Sequence, residues 1–317
     1  MGRSRATQGA FILNLIKPRT NIKRGDGVTG NTLDYLVSTT VTNNEADWDV
    51  STAYVVGDKA VLNFDLYQCL QNNTGENPTD AASTYWVRAG SANKYAMFDG
   101  NSSSQTEFLG TNFTVVITGL NVNSLSFFGV NADSITVTQT DGGVQTFTET
   151  KSTGAFSEGR NNWYNFYYMP FPDSTSVRSV VFSNIPILAT SQISITFNKA
   201  SGNAKCGMLV DGMIRNIGTA NFGTDFGITD YSTKETDQFG NTEIVERPFN
   251  RKINYDVSVP TLQLSQVDRL LAAYRATPVC WIGEQTKEET IIFGFINDSD
   301  FTEKQTLSSL KINVEGI

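Results

Sequence analysis

The chain contains no histidine. That absence removes the Ser-His-Asp and Cys-His nucleophile systems and every metal site with a histidine ligand. Charge is scarce as well: 18% of residues are charged, and 24 Lys and Arg against 32 Asp and Glu leave a formal net charge of -8. Sequence-independent binding to nucleic acid needs Lys and Arg to neutralise phosphates, so no nucleic-acid partner is expected. Only three cysteines are present, Cys69, Cys206 and Cys280, far apart and without metal-ligand spacing. They indicate neither a disulfide framework nor a zinc knuckle and are expected to be small buried apolar residues.

Long apolar runs are missing too. No stretch approaches the roughly 18 apolar residues that span a bilayer, so no membrane insertion is expected. The apolar run Ala10 to Ile16 is interrupted by Asn14 and followed by basic residues rather than a cleavage site, which argues against a signal peptide. Ala6 stands where a myristoylation motif wants Ser or Thr. No Gly-rich phosphate loop occurs, and Asp298-Ser299-Asp300 lacks the sixth-position glycine of an EF-hand, so neither cofactor nor metal is expected. A glycosidase needs only two well-placed carboxylates. No pair here stands in a recognisable motif, and Glu288-Glu289 reads as two solvated charges in a polar turn.

Gly, Thr, Asn and Ser are abundant, and they suit strands and turns better than long helices. The expected fold class is mainly β. Residues 1 to about 30 carry Arg3, Arg5, Lys17, Arg19, Lys23 and Arg24 and read as a basic arm or long loop, followed by a leading strand within Thr32 to Thr42. The arm is either solvated or packed on an acidic neighbouring subunit.

Residues 48–90 have the spacing of a complete small module. Tyr54, Val56, Val61, Leu66, Tyr67, Cys69 and Leu70 fall in short strand-forming runs separated by Gly57-Asp58 and Asn63 to Asp65, which describes a sheet of two or three strands. So small a unit buries little surface, and Trp48, Tyr67 and Trp86 are the rings available to fill it.

The order Trp48, Tyr54-x-x-Gly57-Asp58-x-x-Val61, Leu66-Tyr67-x-Cys69, Thr74-Gly75-x-x-Pro78, Tyr85-Trp86 resembles the small chitin-binding, family 5/12-like carbohydrate-binding modules of chitinases and cellulases. The following stretch, Asn93 to Gly100 (NKYAMFDG), resembles tail proteins of tailed bacteriophages, in which such a module leads into a β-rich virion protein. The first resemblance implies sugar contacts from Tyr54, Tyr85 and Trp86, with Asn72, Asn73 and Asn77 as polar partners. Where the chitin-binding family commonly has a surface tryptophan, this chain has Leu70-Gln71-Asn72-Asn73-Thr74. Two roles therefore stay open for the module, glycan contact and plain decoration.

From Tyr95 onward short strands alternate with turns: Thr114 to Ile117, Ser124 to Phe128, Ser134 to Thr138, Val144 to Thr148, Val177 to Ser183 and Gln192 to Asn198. Asp141-Gly142-Gly143 is a hairpin signal, and Ile193, Ile195 and Phe197 alternate with Ser194 and Thr196 as in a half-buried strand. This pattern predicts a central β-sandwich, jelly-roll or galactose-binding-like. Trp163 to Tyr168 (WYNFYY) would point rings to both faces of a strand, for core, subunit contact or sugar stacking.

Beyond residue 217, Tyr231 to Gln238 and Thr242 to Arg247 should pair across Phe239-Gly240-Asn241, with a strand at Tyr255 to Val259. Val267, Leu270, Leu271 and Tyr274 have helical spacing, with Ser265 as the expected cap and Pro278 as the stop. Strands are then expected at Val279 to Ile282, Thr290 to Ile296 and Leu307 to Val314.

The expected organisation is a basic arm and leading strand (1–47), the carbohydrate-binding-like module (48–90), a β-sandwich (91–217) and a C-terminal β-rich α+β docking domain with one helix (218–317). The resemblances imply a non-enzymatic phage tail or baseplate protein, assembled in the host cytoplasm and resident in the virion. Its expected partners are other tail or baseplate proteins, host-surface glycan and further copies of itself in an oligomer or ring. A purely structural adaptor and a polysaccharide depolymerase are the alternatives.

Overall fold

In this computed structural model, residues 11–18, 36–80, 83–101, 104–153, 178–221, 223–236, 242–247 and 249–317 are described. The run Trp163 to Tyr168, the turn Phe239-Gly240-Asn241 and the basic positions Arg3, Arg5, Arg19, Lys23 and Arg24 lie outside them. Among the described residues the fold is mainly β, built of antiparallel sheets with one α-helix near the C-terminus. Two units divide the chain. One contains residues 1–18 and 213–317, and the other residues 19–212.

The terminal unit begins with β1 (Phe11–Pro18). Its pairing corrects the reading of this region as an arm: Asn14, Leu15 and Ile16 pair with Ile282, Trp281 and Cys280, and Leu13, Leu15 and Ile16 are fully buried.

The inserted unit starts with β2 (Leu36–Thr39) and then the module strands β3 (Ala53–Tyr54), β4 (Lys59–Leu62), β5 (Asp65–Cys69), β6 (Asn73–Thr74) and β7 (Trp86–Ser91). A 3-10 turn over Asn93–Phe98 follows. Asn93 ties it down by donating to the carbonyls of Thr42 (2.9 Å) and Glu107 (2.8 Å) and accepting from the Glu107 N–H (2.8 Å). The turn thereby delivers Met97 and Phe98 into the sandwich core.

That sandwich comprises β8 (Thr106–Phe108), β9 (Asn112–Thr118), β10 (Ser124–Phe128), β11 (Ser134–Asp141), β12 (Val144–Ser152), β13 (Val180–Phe182), β14 (Gln192–Asn198), β15 (Ala204–Cys206) and the first residues of β16 (Met208–Ala220). One layer has the order β12-β11-β14-β9-β2, and in the other β10 lies between β13 and β16. Inward-facing residues of both layers share one core: Phe113, Ile135, Ile193, Ile195 and Phe197 meet Leu125, Phe127, Phe182 and Leu209. Phe197 stacks on Phe113 at 4.4 Å between centroids and meets Phe127 edge-on at 5.5 Å. Gly142 and Gly143 take φ of 54° and 83° in the β11–β12 hairpin, the left-handed pair that a two-residue turn requires.

The terminal unit resumes with the rest of β16, then β17 (Asp225–Asp230), β18 (Thr233–Thr236), β19 (Thr242–Val245), β20 (Phe249–Pro260), the helix Leu264–Tyr274, β21 (Val279–Ile282), β22 (Ile291–Thr302) and β23 (Leu307–Gly316). Strand order runs β16-β1-β21-β22-β23-β20, and β16 also pairs with β20 through Thr219 and Ala220, so the sheet closes on itself. The helix lays Val267 and Leu271 on a core of Leu13, Leu15, Tyr255, Val257, Trp281 and Leu310. Ser265 is not its cap. The chain enters through a 3-10 turn, Thr261–Gln263, and Gln263 holds the cap position without a side-chain hydrogen bond.

Gly294 shows how tightly β22 and β23 are fitted. A Cβ there would stand 1.9 Å from the carbonyl oxygen of Glu315, which is backbone and cannot swing aside. Gly294→Ala is expected to destabilise the terminal unit by about 1–3 kcal/mol, the usual range for overpacking. A urea melt followed by Trp281 fluorescence measures it, and an unchanged midpoint would refute it.

Candidate functional site

The module builds its own small core. Tyr54, Ala60, Tyr67, Cys69 and Trp86 are buried together, with Trp48, Leu62 and Tyr85 packed against them. β4, β5 and β7 form a three-stranded antiparallel sheet and β3 pairs with β6. The left-handed φ of Gly57 (97°) and Asn63 (58°) marks its two turns. Segment 46–48 is laced to β4, the Trp48 N–H donating to the Val61 carbonyl at 2.8 Å and the Val61 N–H to that of Ala46 at 2.9 Å. Asp65 is buried, and Arg88 closes on it at 2.6 Å. This hydrogen bond, outweighing desolvation, raises the Arg88 pKa further.

Measured against that core, the expected sugar contacts divide. Tyr54 and Trp86 are not exposed platforms. They are 8% and 6% exposed and meet edge-to-face at 4.9 Å. The Tyr54 hydroxyl accepts from the Asp49 N–H at 2.8 Å, and the Trp86 indole N–H donates to the Glu76 carbonyl at 2.9 Å. The physical reason is size: a unit of about 40 residues needs its large rings inside. Tyr85 remains half-buried at the edge of the cluster.

All three asparagine side chains are engaged with the backbone. Asn72 Oδ1 accepts from the Val56 N–H at 3.0 Å, and Asn77 Oδ1 accepts from the Thr79 N–H and hydroxyl at 2.9 Å each. Asn73 differs. Its Nδ2 donates to the Gln71 carbonyl at 2.9 Å, which fixes the amide orientation. Its Oδ1 is then buried without a hydrogen-bond partner, as is the indole Nε1 of Trp48. Sequence reasoning assigned Trp48 to the core alone, and nothing in the local pattern distinguishes a half-buried ring with an unpaired N–H from a fully buried one.

A second polar feature belongs to the terminal unit. A depression of about 350 Å³ is lined by Asp225, Asn254, Asp256, Asp298, Asp300 and Lys311, among others. Strand register makes its rows: Asp225, Asn254, Asn313 and Asp298 lie across one line of the sheet, and Asp256, Lys311 and Asp300 across the next. Asp298-Ser299-Asp300 is thus part of strand β22 rather than a loop. Among the described residues no group of three or more Cys, Asp or Glu is arranged to hold a metal ion. All three cysteines are buried thiols, and burial pushes the Cys206 pKa up.

No known family model matches the chain, and no curated protein matches it.

Proposed function

We propose that the chain is a non-enzymatic structural component of a phage tail or baseplate, in which the terminal unit anchors the protein and the inserted unit is displayed. The observation that carries this reading is the chain path. Residues 19–212 are inserted between β1 and the remainder of a closed-sheet unit made from the first and last parts of the sequence. A unit tied at both entry and exit suits holding in an assembly, and an insertion can be elaborated without disturbing its host.

A second reading, in which the module touches host-surface glycan, rests on Tyr85 at the edge of the module core. Half-buried Tyr85 supplies the ring face. Weak single contacts would gain about 10² to 10⁴ in avidity from repetition on a particle.

Deleting residues 48–90 from the particle-borne protein tests both. Intact particles with normal adsorption are expected from the structural reading, and intact particles that no longer adsorb from the glycan reading. Polysaccharide cleavage surviving the deletion, or absence of the chain from purified particles, would overturn the proposal. On multivalent glycan arrays, Tyr85→Ala should abolish any binding that the full chain shows.

A further inference from the structure

We infer that the module of residues 48–90 is a fixed projection of the sandwich rather than a tethered domain, and that Asn93 and Phe64 are the positioning residues that set its angle. The inference rests on the junction alone and holds whether or not the chain is a virion protein. Small appended modules move relative to their neighbours when the chain between them includes an exposed, flexible run. Neither connection to this module has one.

On the entry side, the Thr40 N–H donates to the Thr114 carbonyl of β9 at 3.0 Å, and the Thr114 N–H donates to the Thr40 hydroxyl at 2.9 Å. Val41 is buried in the sandwich core. The Thr42 carbonyl accepts from Asn93 Nδ2, and Asn43 Oδ1 accepts from the Lys94 N–H. By Ala46 the chain is already held by the module, whose Val61 N–H donates to the Ala46 carbonyl. Asn44 and Glu45 alone separate the two sets of bonds. The exit is shorter still. β7 ends at Ser91, whose hydroxyl donates to Asp99 Oδ2 at 2.8 Å. The next residue, Ala92, is buried and donates its N–H back to the Phe64 carbonyl of the module at 2.8 Å.

Two side chains close the junction. Asn93 uses both amide hydrogens and its oxygen, and its bonds to Thr42 and Glu107 join the entry, the exit and β8 at one residue. Phe64, in the turn between β4 and β5, meets Tyr95 of the 3-10 turn edge-on, at 4.8 Å between centroids and 85° between planes. That contact seats a turn of the module on a turn of the sandwich. Neither Asn93 nor Phe64 is part of the module core or the sandwich core, so their bonds orient the two pieces without building either. Under the glycan reading above, a module fixed in this way presents Tyr85 in one direction. Repeated copies then add avidity only where the spacing of the ligand matches that of the modules.

Nitrogen-15 relaxation of the full chain tests this. In the wild type, amides of β4, β5 and β7 should share the rotational correlation time of those of β9 and β14, with order parameters of about 0.85 in both sets. Asn93→Ala combined with Phe64→Ala should release the module, lowering its order parameters below about 0.6 while β9 and β14 keep theirs. The amide chemical shifts of Tyr54, Tyr67 and Trp86 should hold, because the module core is untouched. A wild-type module with a shorter correlation time of its own, or a variant module that keeps the common one, would overturn the inference. So would loss of those shifts in the variant, which would make the two residues part of the module's stability rather than of its aim. No glycan enters the measurement, so the glycan reading stands or falls separately.

Discussion

Phe197→Ala is expected to lower the stability of the sandwich unit by about 3–5 kcal/mol, as truncation of a fully buried phenylalanine does. Phe197 is fully buried and is one ring through which the two layers touch: it stacks on Phe113 within its own sheet and meets Phe127 of the facing sheet. Truncation removes the transfer energy of the ring and leaves a cavity that two neighbouring rings on rigid strands cannot close. For a unit of this size that is a drop of roughly 10 °C in Tm. Differential scanning calorimetry reads it directly. Phe197→Leu should recover much of the loss, and an Ala variant that melts with the wild type would show that the layers are held elsewhere.

Trp86→Ala should have an equally large intrinsic cost with a different outcome. The same 3–5 kcal/mol exceeds what a core of so few residues can supply, so local unfolding of the module is expected rather than a lowered melting point. The substitution also leaves the Glu76 carbonyl without its indole donor and Tyr54 without its edge-to-face neighbour. Hydrogen exchange by mass spectrometry should show protection lost in β4 and β5 while β9 and β14 keep theirs. Retained protection in β5 would mean that the small sheet does not rest on this ring.

Where a segment's structure is decided by neighbours in sequence, the residues announced it. Gln192 to Asn198 alternates, and its strand has those bounds with Ile193, Ile195 and Phe197 fully buried. Asp141-Gly142-Gly143 predicted a hairpin, and Asp141 pairs with Val144. Val279 to Ile282 and Ser124 to Phe128 likewise match strands. A module sheet of two or three strands was legible from its turns, and β4, β5 and β7 form one of three.

Where distant partners decide, local pattern failed. β1 was hidden because flanking basic residues dominate its neighbourhood, while its burial depends on β21 at the far end of the sequence. The helix was legible but its cap was not, since the 3-10 entry after Pro260 depends on backbone geometry rather than on Ser265. The candidate site suffered most. Alternation says that Tyr54 and Trp86 lie on faces, and only the assembled module shows that both rings turn inward, leaving Tyr85 half-buried at the edge of the cluster.

The pairing of β1 with β21 also sets a timetable. Ile16 must wait for Cys280, about 260 residues later in synthesis. At about 5–20 residues per second that interval is on the order of 10–50 s, far longer than strand pairing or collapse needs. The inserted unit can finish folding on the ribosome within that time, while Leu13, Leu15 and Ile16 remain without their sheet. A nascent-chain holdase would therefore find a target in β1, and a slowed ribosome would lengthen the interval before that strand meets β21.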